Sequence, residues 1–183
     1  VIDDLANRQH YADYLLDQNY FGDTTKARYE NLINTDSIQL LGTNYALIRQ
    51  EFRNYKATNK NARKTKSVLN IMCFFGGSDP YKLTSKIIDA FIDLDLKNLN
   101  INVIVGAQNS MYSNIKKKIN LLDNMMLLKQ INTMAEIMAQ ADLAIGSCGS
   151  TTWERMFMNL PTAIITFGED QRQIAEPLAK KGY

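Results

Sequence analysis

From residue 67 to residue 181, apolar runs of strand length alternate with segments of helical periodicity. No other feature of this 183-residue chain restricts its fold so tightly. Residues 67–75 (SVLNIMCFF) are an apolar run of strand length, and over 82–94 Leu83, Ile87, Ile88, Phe91 and Leu94 recur at helical spacing. Further strands are expected at 100–105, 125–129, 142–145 and 161–167. Helices are expected at 109–122, at 133–141, over 153–158 and at 174–181. Such alternation builds βαβ units, hence a parallel sheet with right-handed crossovers. Ligands on such a sheet settle beyond the carboxyl ends of the strands, where the strand order switches.

Three small-residue turns fall at those strand ends: Gly76-Gly77-Ser78, Gly106-Ala107, and 146–150 (GSCGS). The third carries the most chemistry. A strand, a small-residue turn and a helix start together aim unpaired backbone N–H groups at an anion. Gly146 and Gly149 permit close backbone approach, and Ser150, Thr151 and Thr152 add hydroxyl donors or an N-cap. Glu154 follows a few residues into the helix, where a carboxylate could grip a ribose diol. This chemistry points to a nucleotide diphosphate rather than a metal or a nucleic acid. Taken alone, the turn is equally a common helix cap. It lacks the Lys of a P-loop and the G-x-G-x-x-G of a dinucleotide fold, so its weight comes from sharing a rim with two others.

Composition narrows the function classes. A net charge of +2 gives no steer toward nucleic acid or a membrane surface. No apolar run approaches the ~20 residues that span a bilayer, so no membrane insertion is expected. Cys73 and Cys148 form no C-x-x-C pair and have only His10 as a companion, which argues against a metal; two unpaired thiols fit a cytoplasmic location. Cys148 reads as a small residue lining its turn. The methionines at 125, 126, 134, 138, 156 and 158 read as core packing.

The first 53 residues differ in character. Residues 1–5 have the form of a strand ending in Asp3 and Asp4, residues 13–18 read as a second short strand, and 40–48 as a packed return segment. This part has too few helices to complete a parallel-sheet domain. It reads as the remnant of an N-terminal α/β domain, joined by a polar, basic linker at 54–66 to a Rossmann-like domain at 67–183. Asp3, Asp4, Asp17 and Asn19 read as structural groups, and His10 as a surface loop residue.

The chain resembles the UDP-sugar hydrolases of pseudaminic acid biosynthesis (the PseG and spore coat polysaccharide protein G group), relatives of the MurG-like glycosyltransferases with the GT-B fold. Near the amino end the matching residues are 3–8 (DDLANR), 10–13 (HYAD), 15–19 (LLDQN), Gly42, 45–49 (YALIR) and 51–52 (EF). Further on they are 76–79 (GGSD), 149–155 (GSTTWER) and 168–171 (GEDQ). The resemblance implies hydrolysis of UDP-2,4-diacetamido-2,4,6-trideoxy-β-L-altropyranose with inversion at the anomeric carbon, without cofactor or metal. It implies that Gly149, Ser150, Thr151 and Thr152 contact the diphosphate and that Glu154 binds the ribose hydroxyls. Gly76, Gly77 and Ser78 would close the opposite rim, and Asp170 and Gln171 would contact the sugar or diphosphate. The family's general base is a His in a glycine-rich turn upstream of where this chain starts, and His10 does not match it. The expectation is therefore a chain that binds UDP without hydrolysing its sugar ester, cut from an enzyme that does. A GT-B glycosyltransferase and a non-catalytic nucleotide-sugar-binding module are the alternatives. The oligomeric state is left open.

Overall fold

The computed structural model describes residues 1–58, 69–96 and 98–183. In chain order its elements are β1 (Tyr14–Asp17), β2 (Ile38–Leu41), α1 (Gln50–Thr58), β3 (Leu69–Phe74), α2 (Leu83–Asp93), β4 (Leu99–Val105), α3 (Tyr112–Ile119), β5 (Met125–Lys129), α4 (Met134–Gln140), β6 (Leu143–Gly146), α5 (Thr151–Phe157), β7 (Thr162–Ile164) and α6 (Glu169–Lys180). They divide into two compact units. One is Ile48–Ile165, and the other combines Val1–Leu47 with Thr166–Tyr183.

The larger unit is a five-stranded parallel sheet in the order β5-β4-β3-β6-β7. Its strands read as apolar runs because both faces are covered, as parallel sheets require. The two-residue period sorts their side chains. Ile71 and Cys73 of β3 join Ile101 and Val103 of β4 with Ile88, Phe91, Ile115 and Ile119 from α2 and α3. Met72 and Ile104 point the other way, into a core with Phe52, Met134, Met138, Ala144 and Leu160. Burial drives the Cys73 thiol up to about 12. The first strand of this unit, β3, sits at the centre, with β4 and β5 on one side and β6 and β7 on the other. The order therefore switches between β3 and β6.

Two expectations fail in this unit. Residues 54–58, read as the start of a linker, continue α1, whose Phe52 is fully buried with Ile48 and Tyr55 packed beside it. Residues 59–66 of that linker, and 67–68 of the expected strand, lie outside the described residues. Met126 is 58% exposed rather than core, and it lies on β5, an edge strand of the sheet.

In the smaller unit β1 and β2 pair in parallel from Tyr14↔Ile38 to Asp17↔Leu41. Residues 1–5 make a single bridge, Ile2 to Leu16, instead of a strand. The chain turns there, with Ala6 at φ 49° and its N–H donated to Asp3 Oδ2 at 2.8 Å. Beneath the turn lies a polar core. The Tyr29 hydroxyl sits 3.0 Å from Asp3 Oδ2 and 3.1 Å from Asp17 Oδ2, with all three residues buried. Burial opposes the charge on Asp3, but bonds from Ala6 and Tyr29 outweigh it and hold the carboxyl below its usual range. For Asp17 burial prevails over the Asn19 N–H and pushes it up. His10 belongs to this core. Its backbone bridges to Ile33, and its ring, 8% exposed, places Nε2 3.6 Å from Asp3 Oδ1, so it is not a surface residue.

Candidate nucleotide site at the β3–β6 switch

The turns following β3 and β6 leave neighbouring strands, since Phe74 pairs with Gly146. The sequence-predicted residues Gly76, Gly77, Ser78, Gly149, Ser150, Thr151, Thr152 and Glu154 all lie in the larger unit, in or just after these two turns. Asp170 and Gln171 belong to the smaller unit, in the first turn of α6, where Asp170 Oδ1 fills the space a Cβ on Gly168 would need.

Steric demand ties the rim together. A Cβ on Gly106, at the end of β4, would overlap the backbone of Gly77, so the β4 and β3 turns are in direct contact. Gly76 takes φ +93°, a conformation glycine adopts at little cost. Past Ser78 the chain closes on itself. Asp79, buried and at φ 44°, accepts the N–H groups of Leu83 and Thr84, both at 2.9 Å, and so occupies the amino terminus of α2 with its own carboxylate.

The β6 turn is supported from below instead. Arg155 is 1% exposed; its Nη2 donates to Ser147 O at 2.7 Å and to Thr152 Oγ1 at 3.0 Å. The guanidinium also takes the space that a Cβ on Gly146 would fill. Burial lowers its pKa to about 10, against the opposing pull of Cys148 and Glu154. Above this cation the Thr152 N–H closes on Gly149 O at 2.8 Å, leaving Gly149 and Ser150 as an exposed apex. Ser150 holds the N-cap position in αR geometry and makes no side-chain cap bond. The expected hydroxyl cap is absent there because capping hydroxyls work from extended φ/ψ. Thr152 is buried, its hydroxyl oxygen turned to Arg155.

Glu154 is buried as well. Its carboxylate meets Arg49 in a two-pronged contact, Nε to Oε1 at 2.6 Å and Nη2 to Oε2 at 3.2 Å. Bonding to Glu154 raises the Arg49 pKa above its already high value. In the sequence Arg49 and Arg155 stand only as parts of longer matching stretches, with no role of their own. For Arg155 a local signal existed: Thr152 lies three residues earlier, one helical turn away. For Arg49 there was none, because its partner is 105 residues distant. No group of three or more His, Cys, Asp or Glu able to hold a metal ion is present among the described residues, and no described helix is long and apolar enough to cross a membrane.

Residues 71–183 match the glycosyltransferase family 28 C-terminal domain. The chain belongs to this family. Among curated proteins, an uncharacterized protein of Methanocaldococcus jannaschii is 31% identical over 91% of this chain and 33% of its own length. The spore coat polysaccharide biosynthesis protein SpsG of Bacillus subtilis is 27% identical over 77% of this chain and 41% of its own. The UDP-2,4-diacetamido-2,4,6-trideoxy-beta-L-altropyranose hydrolase of Campylobacter jejuni is 27% identical over 96% and 60%. The chain thus spans between a third and about three fifths of these relatives. Among solved structures, the glycotransferase of kitacinnamycin superposes with a TM-score of 0.55 at 13% identity, covering 92% of this chain and 40% of that one. This last likeness concerns the fold: an α/β, GT-B-like architecture with a Rossmann-type parallel sheet.

Proposed function

We propose that this family 28 chain binds the UDP moiety of a UDP-sugar, as the nucleotide-holding part of a hydrolase that releases a 2,4-diacetamido-2,4,6-trideoxyhexose with inversion. The observation that carries the reading is the uncapped turn of 147–152 at the sheet's switch point, with Glu154 directly behind it. The near full-length similarity of this chain to the Campylobacter hydrolase supports the choice of substrate. In this reading the exposed apex at Gly149 and Ser150, continued by Thr151, meets the diphosphate. Thr152 and Arg155 hold the turn in shape, and the buried cation adds positive potential under the phosphates. Glu154 takes the ribose hydroxyls. Gly76, Gly77 and Ser78 form the facing rim. Inverting hydrolysis needs a base for water and stabilisation of the departing nucleotide; this chain's residues are assigned to the second task.

A second reading, transfer of the sugar from UDP to an acceptor, is favoured by the glycosyltransferase match over residues 71–183. Calorimetric titration with UDP tests the shared part. Micromolar binding is expected, weakened about tenfold or more in Glu154→Ala, as befits loss of hydrogen bonds to a charged group. A folded chain that ignores UDP would sink both readings. Sugar release from the UDP-sugar by the whole protein, with and without added acceptors, separates hydrolysis from transfer.

A further inference from the structure

We propose that this chain pairs with a second copy of itself through the outer edge of β5, the two strands running antiparallel about Leu127. The inference is independent of the nucleotide reading. The sheet ends in β7 on one side and β5 on the other, and the two edges differ. β7 has three residues and follows Pro161, so it offers little ladder to a further strand. β5 has five, MMLLK, with no proline and no charge before Lys129. Met126 is 58% exposed on it, and Leu121, in the turn ahead of it, is 84% exposed. No described strand pairs with its outer side. Edges are ordinarily blunted by charge, proline, a bulge or a covering segment, and this one invites another strand.

The backbone determines which residues meet. Asn124 O accepts the Ile101 N–H at 2.9 Å, and the Gln130 N–H donates to Val105 O at 3.0 Å, so the even-numbered residues of this stretch bond to β4. The N–H and C=O groups of Met125, Leu127 and Lys129 therefore point outward. In an antiparallel ladder centred on Leu127, outward residues face outward residues. Leu127 meets Leu127 of the second copy, Met125 meets its Lys129, and each pair exchanges both N–H···O bonds. Such a contact is isologous and closes at a dimer. The charges match as well. Lys129 lies on the α3 face of the sheet, its Nζ 4.4 Å from the centroid of the Tyr112 ring. Asp123, exposed just before β5, is the diagonal neighbour of Lys129 of the second copy, within reach of a long side chain. The symmetry repeats this contact at the other end of the ladder. Lys116, exposed on α3, lines the groove beside Met125, so the Asp123 carboxylate is what receives a second cation there.

Sedimentation velocity over a concentration series, with a melting curve for each protein, tests the pairing. The wild type should move from monomer toward dimer as its concentration rises. Lys129→Asp and Asp123→Lys each set like charges together at both ends of the ladder. Either should weaken association by roughly tenfold, about the worth of two exposed ion pairs. The double variant restores opposite charges with their places exchanged and should associate within about twofold of wild type. All four proteins should melt within a few degrees of one another, since both side chains are exposed. A wild type that stays monomeric up to about 1 mM would overturn the inference. So would association that the single reversals leave unchanged, or that the double variant fails to recover, because the contact would then lie on another surface.

Discussion

The turns that close β3 and β6 begin from the same material, glycines and a serine at the carboxyl ends of paired parallel strands, and reach opposite solutions. After β3 the chain supplies its own anion: Asp79 fills the first N–H groups of α2. After β6 it supplies a cation underneath, Arg155, and leaves the first turn of α5 without a side-chain cap. Small residues therefore grant access to a strand end without deciding what uses it. The next charged side chain decides. A carboxylate placed to reach back closes the turn, whereas a guanidinium buried beneath it braces the turn and leaves its apex open.

The largest effect that bears on this contrast is expected from Arg155→Met. It removes a buried guanidinium and leaves the Ser147 carbonyl and the Thr152 hydroxyl buried without that partner. At about 1–3 kcal/mol per orphaned group, urea unfolding should show a loss of roughly 3 kcal/mol. Unchanged stability would mean that the β6 turn holds its shape unaided. Gly106→Ala comes next, with an overpacking cost of about 2 kcal/mol because its Cβ overlaps Gly77. Wild-type stability there would show the β3 turn to be more yielding than the contact implies. Asp79→Ala should cost least, about 1 kcal/mol for a lost helix cap, and should leave UDP affinity within about twofold. A large drop in UDP affinity in that variant would break the contrast, since the closed turn would then be serving the ligand too.

The fold of the larger unit was legible wherever burial imposed a period. The expected and observed strands agree at 125–129, and of the stripe expected on α2 Ile88 and Phe91 are buried, whereas Leu94, just past the end of the helix, is 65% exposed. The one helix missed there, α1, does carry apolar residues at helical spacing, Phe52 and Tyr55, with Ile48 four positions before Phe52 and just ahead of the helix. In the sequence that stripe falls across a return segment expected to end at residue 48 and a linker expected to start at 54, and the surrounding Arg, Asn and Lys hide the remainder. His10 went wrong for a different reason. Nothing within a few residues announces that its ring will meet Asp3, because a backbone bridge to Ile33 turns it inward. At the candidate site the turns were visible as composition, but Arg49 and its grip on Glu154 depend on the pairing of distant segments, and a local window carries no record of that.

At the tip of the β6 turn, Gly149 has no heavy atom within 4 Å of the position a Cβ would take, and its φ lies outside the left-handed range that only glycine tolerates well. The apex therefore has room for a side chain it does not carry. An alanine introduced there would displace no neighbour, so a loss of UDP affinity in Gly149→Ala would report contact with the ligand and not a distorted turn. The open tip thus separates what the fold requires of that position from what a ligand requires of it.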